Sequence, residues 1–185
     1  MGNTWTGNWW ALALRGAIAA VFALAVLTTV PFDPRAIGVV FGVYAAIDGL
    51  LAVLTALRAP RPGRPWRGML AEGAVGLGIG FISVAIAVAA SSPSARILAY
   101  LVAAWALVTG SIKIFTAKQL RDVMTGEWLL TFGGVFCILM GLVITLLPGL
   151  SALHLRALLG VVAVGYGSML LLMGYRAHRW AQLNI

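Results

Sequence analysis

Residues 9–30 read WWALALRGAIAAVFALAVLTTV, an apolar run with one charged position, Arg15. Wound as an α-helix at 1.5 Å of rise per residue, such a run crosses the roughly 30 Å hydrocarbon core of a bilayer. Five more runs of this kind follow: Ala36–Leu57, Gly68–Ala90, Ile97–Phe115, Trp128–Leu147 and Leu155–Tyr175. All seven prolines (Pro31, Pro34, Pro60, Pro62, Pro65, Pro93 and Pro148) fall between them, where a missing N–H does least harm. The fourth connection, Thr116–Glu127, has no proline; it is polar and suits a short amphipathic segment at the interface. Composition agrees. Of 185 residues 62% are hydrophobic and 10% charged, against roughly 25% charged in an average soluble domain. Too few polar side chains exist to cover a folded surface in water, so a soluble globular domain is excluded, and disorder with it. The expectation is one all-α transmembrane domain over residues 1–185, with six spanning helices.

The net charge of +8 does not describe a nucleic-acid binder, because the basic residues lie between the apolar runs rather than on one face or tail. One side receives the N-terminus, the second and fourth connections and the C-terminus, with Arg58, Arg61, Arg64, Arg67, Lys118, Arg121, Arg176 and Arg179. The other side holds Arg35, Arg96 and Arg156. Positively charged loops are retained in the cytoplasm, so both termini are expected there. Trp9, Trp10, Trp66, Trp128 and Trp180, with Tyr175, fall at the same helix ends, where an amphipathic ring sits at headgroup depth. The first run lacks a preceding basic region and a small-residue cleavage site, and reads as a retained helix rather than a signal peptide. The opening Met1-Gly2-Asn3-Thr4-Trp5-Thr6 fits a myristoylation pattern formally, but the pattern is short and six spans leave an acyl anchor little to add.

The runs repeat. Trp9 to Gly16 and Trp66 to Gly73 have the same separation, and Trp128 to Gly134 matches Trp10 to Gly16. In the even runs Asp48-Gly49, Thr109-Gly110 and Tyr166-Gly167 recur at spacings of 61 and 57 residues. The unit is a helical hairpin of about 60 residues used three times, approximately 9–58, 66–118 and 128–176. Two spans per unit make the repeats parallel, unlike the inverted repeats of many transporters, and no span is interrupted by proline.

Taken in order, Trp10-x-x-x-x-Arg15-Gly16, Tyr44-Ala45-Ala46-Ile47-Asp48-Gly49, Glu72-Gly73, Ala104-Trp105-Ala106-Leu107-Val108-Thr109-Gly110 and Gly126-Glu127-Trp128 resemble the HdeD family of small bacterial inner-membrane proteins, from Trp9 to Arg176. The resemblance implies a six-helix protein linked with acid resistance and general stress response, and supplies no catalytic mechanism. The family's Pro-Gly turn after odd spans is kept at Pro148-Gly149 and replaced by Pro31-Phe32 and Ser92-Pro93-Ser94.

Arg15, Asp48 and Glu72 lie where charge is costly. Counting from the cytoplasmic helix ends, Arg15 and Glu72 sit about 8–9 Å deep and Asp48 about 13–14 Å deep. Arg15 is therefore expected to pair with Glu72, with Asp48 or with both, tying the first three helices together. One reading is a polar clamp that fixes helix order; the other is a carboxylate that exchanges protons and loosens the clamp. Lys113, near its helix end, is expected to snorkel to the headgroups. Tyr44, Trp105 and Tyr166 are expected to pack in the bundle with their polar atoms hydrogen-bonded; nothing selects a lipid, pigment or quinone beside them. Gly38-x-x-x-Gly42 and Gly76-x-x-x-Gly80 permit close helix approach. His154 and His178 are lone histidines, and Cys137 has no cysteine to pair with. No metal spacing, phosphate loop or nucleophilic triad order occurs, so no cofactor and no enzyme activity are expected. The leading expectation is a non-enzymatic stress-response membrane protein, with lipids and itself as partners. An accessory subunit of a larger membrane complex is the second, and a small transporter or proton pathway the third.

Overall fold

The computed structural model describes residues 9–28, 33–58, 65–90, 94–120, 127–147 and 151–183, and these form six helices. They are α1 (Trp9–Thr28), α2 (Pro34–Arg58), α3 (Pro65–Ala89), α4 (Ala95–Leu120), α5 (Glu127–Leu146) and α6 (Ala152–Leu183). Each contains a stretch long and apolar enough to span a bilayer, with mean hydropathies of 1.8–2.4. This is a multi-pass membrane architecture.

Local chemistry sets the helix starts. Pro34 and Pro65 occupy the first helical position, where fixed φ helps and the absent N–H is not needed. Before α2, the Asp33 carboxylate accepts from the N–H groups of Arg35 (3.2 Å) and Ala36 (3.4 Å), and its carbonyl accepts from Ile37. Ser94 does the same for α4, its hydroxyl oxygen accepting from Arg96 N–H and its carbonyl from Ile97 and Leu98. Ser151 opens α6, accepting from Leu155 N–H. These side chains and carbonyls take up donors that a helix leaves unpaired.

Two helices outrun the apolar stretches that foretold them. α4 continues past Phe115 to Leu120, so the first residues of the fourth connection are helix, not an interfacial segment. No Gly or Pro interrupts Thr116-Ala117-Lys118-Gln119-Leu120, and Thr116 and Ala117 are buried. α6 likewise runs through Arg176 and Arg179 to Leu183. Residues 121–126, with Arg121 of that connection, and Arg61 and Arg64 of the second lie outside the described residues.

Helix packing closes a ring. The tightest pairs are α2 on α3, α4 on α5 and α6 on α1, so the first helix meets the last as intimately as sequence neighbours meet. These pairs fall between the sequence hairpins rather than within them. Glycine makes each seam: a Cβ at Gly49 would sit 2.7 Å from the carbonyl oxygen of Gly73, and one at Gly110 2.7 Å from that of Gly134. At the closing seam a Cβ on Gly16 would come within 3.0 Å of the Gly167 carbonyl oxygen. Of the glycine pairs singled out in the sequence, Gly42 and Gly80 face each other across α2 and α3 and Gly76 packs on Gly49. Gly38 instead accommodates Leu98 of α4 and Ala87 of α3. Backbones this close gain van der Waals contact that bulkier residues would forbid.

Large apolar side chains such as Val21, Phe81, Phe132 and Leu146 point outward, 64–77% exposed, as lipid-facing residues do. Inside, the Phe22 and Tyr44 rings stack at 4.1 Å, and Trp105 meets Phe41 and Tyr44 edge-on at 5.7 and 6.3 Å.

Candidate functional site

Beside this aromatic layer lies a buried ion cluster drawn from five helices. Arg15 of α1, 5% exposed, is its hub. Its Nε donates to Asp48 Oδ1 at 2.7 Å and its Nη2 to Asp48 Oδ2 at 2.8 Å, a bidentate pairing that binds α1 to α2. The same Nη2 donates to Glu72 Oε1 of α3 at 2.8 Å and to Tyr166 Oη of α6 at 2.9 Å. Its two N–H bonds thus serve three acceptors, which requires a shared hydrogen. Tyr166 passes its own hydroxyl hydrogen to Glu72 Oε1 at 3.4 Å. Lys113 of α4 completes the set, with Nζ 3.0 Å from Glu72 Oε1 and 4.7 Å from the centre of the Tyr166 ring. Two cations meet two carboxylates, so the cluster is neutral as a whole, as buried charges in lipid require.

The expected pairing of Arg15 is found with both carboxylates at once. The reading of Lys113 is corrected: it is 2% exposed and does not reach the headgroups. Because α4 runs on to Leu120, Lys113 lies about 10 Å short of the helix end. The overlooked signal was its position one turn beyond Thr109, which occupies the place of Asp48 in the repeat. Tyr44 is a second correction. Among the described residues its hydroxyl has no hydrogen-bond partner, although it is buried. It borders a cavity of about 10 Å³, near what one water occupies, together with Phe22, Phe41, Trp105 and Tyr166.

α5 contributes no charge. At the register of Arg15 and Glu72 it carries Gly133, against which Met169 of α6 packs. Thr109 turns its hydroxyl back to the Trp105 carbonyl at 2.6 Å and stays out of the cluster. Identical scaffold positions therefore carry Arg, Glu and Gly on the odd helices, and Asp, Thr and Tyr on the even ones.

Of the interfacial aromatics, Trp10 lies under the Arg58 guanidinium, Trp66 under Arg67 and Trp128 under Arg176, each 5.6 Å from ring centre to Cζ. The Trp9 and Trp180 side chains lie outside the described residues. At the opposite end Arg35 donates to the Ala90 carbonyl at 2.7 Å and Arg156 to the Leu27 carbonyl, bonding helix C-termini.

Two segments of the chain, residues 14–85 and 77–146, match DUF308, a short repeat of unknown function. The chain belongs to the DUF308 family. This is a family of membrane proteins, and the two DUF308 matches establish the internal repeat by sequence. The first holds Arg15, Asp48 and Glu72, the second holds Lys113, and Tyr166 lies beyond both. No curated protein and no solved structure matches the chain significantly.

Proposed function

We propose that this DUF308 protein is a non-enzymatic, HdeD-like component of the bacterial inner membrane that serves acid and envelope stress, with the ion cluster as the clamp that holds its bundle. The clamp carries the reading: one guanidinium, two carboxylates, one ammonium and one phenol hold five of six helices at a single point. The charges of the cluster balance among its own members, two cations against two carboxylates, which favours a structural role over proton transfer. Three parallel units around a common axis are supported by the equivalent glycine contacts of α2–α3, α4–α5 and α6–α1 and by the caps Asp33, Ser94 and Ser151. Cytoplasmic termini are supported by Arg58, Arg67, Lys118, Arg176 and Arg179 at one end of the bundle, against Arg35, Arg96 and Arg156 at the other.

The test is acid challenge of a strain lacking the protein, complemented with the wild-type chain or with Arg15→Gln. Lower survival of the deletion strain, restored by the wild type and not by Arg15→Gln, is expected. Unchanged survival of the deletion strain would remove the stress assignment. Arg15→Gln that folds and protects normally would remove the clamp. Native mass from mild detergent is expected to give the chain alone or with copies of itself; stoichiometric recovery with a larger complex would overturn the reading in favour of an accessory subunit.

A further inference from the structure

The seams that the glycines do not close differ in a telling way. α1–α2 and α5–α6 are the most loosely packed sequential pairs, and each is crossed at the same end of the bundle by an arginine lying over a tryptophan of the other helix. Arg58 covers Trp10 across the first seam, and Arg176 covers Trp128 across the second. The two clasps are equivalent in the repeat: Arg58 and Arg176 share a register with Gln119, and Trp10 and Trp128 share one with Arg67. One turn deeper along each helix stands an exposed apolar side chain, Leu14 and Leu54 below the first clasp and Phe132 and Leu172 below the second. The third seam, α3–α4, is shut at this level, because Thr116 occupies the space where any side chain on Gly68 would go. There Arg67 lies over Trp66 of its own helix and crosses nothing.

Cations at this end have few anions to meet. Of the five acidic residues, Asp48 and Glu72 are consumed in the core and Asp33 caps α2 at the opposite end, which leaves Asp122 and Glu127 against the more numerous Arg and Lys residues of this end. Arg58 and Arg176 are exposed, as are Trp10 and Trp128 at 41% and 55%. A guanidinium resting over an indole at headgroup depth leaves N–H donors for a phosphate, with exposed apolar side chains one turn below for a hydrocarbon chain.

We infer that the α1–α2 and α5–α6 seams are two equivalent binding sites for an anionic membrane phospholipid, its phosphate on Arg58 or Arg176 and an acyl chain along Leu14 and Leu54 or Phe132 and Leu172. The inference needs only the membrane architecture and stands apart from the stress assignment.

The experiment is native mass spectrometry of the full chain from detergent, titrated with dioleoyl phosphatidylglycerol or dioleoyl phosphatidylcholine. Retention of up to two phosphatidylglycerols, in preference to phosphatidylcholine, is expected. Arg58→Gln with Arg176→Gln should weaken retention about fivefold or more per site. The pair Arg67→Gln and Arg179→Gln removes the same charge and should leave retention close to wild type. Arg58→Lys with Arg176→Lys keeps the charge without the planar fork and should fall between; it decides the matter if the glutamine pair does not fold. Equal retention of both lipids, or equal weakening by both glutamine pairs, would overturn the inference in favour of diffuse charge. Displacement of phosphatidylglycerol by an equal concentration of glycerol 3-phosphate would overturn it in favour of a soluble anion.

Discussion

Replacing Arg15 by Leu tests the cluster most directly. The change removes both bonds to Asp48 and those to Glu72 and Tyr166. Glu72 keeps Lys113 at 3.0 Å and the Tyr166 hydroxyl, but Asp48 loses both of its arginine bonds. A buried ion pair broken on one side costs about 3–5 kcal/mol, chiefly because the remaining charge is stranded. Replacing Asp48 by Leu as well takes that charge away, and buried pairs exchanged for apolar residues are often close to neutral. The double variant is therefore expected to recover at least about 2 kcal/mol of the loss, within the penalty for a stranded charge. The assay is reversible SDS-induced unfolding in mixed micelles, followed by tryptophan fluorescence, on wild type, both single variants and the double. A loss below about 1 kcal/mol for Arg15→Leu, or a double variant no more stable than the singles, would refute the account of an interdependent clamp.

Three further outcomes follow from the same geometry. Lys113→Met should destabilise by about 1–3 kcal/mol, less than Arg15→Leu, because Glu72 keeps Arg15; an effect near zero in the same unfolding assay would return Lys113 to the membrane surface. Gly49→Ala places a methyl 2.7 Å from the Gly73 carbonyl and should cost about 1–3 kcal/mol, whereas Gly78→Ala, with nothing within 4 Å, should be neutral or slightly stabilising. Equal effects at these two glycines would show that the seam is not close-packed. Tyr44→Phe removes a buried hydroxyl with no partner among the described residues and should leave stability unchanged or raise it by about 1 kcal/mol; a clear loss would reveal a bound water in the neighbouring cavity.

The helix count was legible because spanning length and proline punctuation are one-dimensional properties. Arg15, Asp48 and Glu72 could be grouped because depth is simple arithmetic along a helix. Lys113 escaped, since its depth depends on where α4 ends, and Thr116-Ala117-Lys118 looks like a connection until its packing against Gly68 is known. Tyr166 was visible as a repeat position but not as a bridge between Arg15 and Glu72, which requires knowing that α6 lies beside α1. Repeat spacing pointed to hairpins, while the tightest contacts join each even helix to the next odd one. Sequence periodicity marks equivalence; it does not say which equivalent faces touch.

That closure has a consequence for biosynthesis. Of the six helices α1 is made before the others, carrying Arg15, whose carboxylate acceptors arrive with α2 and α3, yet its Tyr166 acceptor and its glycine seam wait until α6 is made. A ring closed by its ends also has no privileged starting point. A circularly permuted chain running from Asp33 through α6 and then, by a short linker, through α1 would make every tight pair a pair of sequence neighbours. In such a permutant helices could dock in the order of their synthesis, with fewer long loops to close before the cluster assembles.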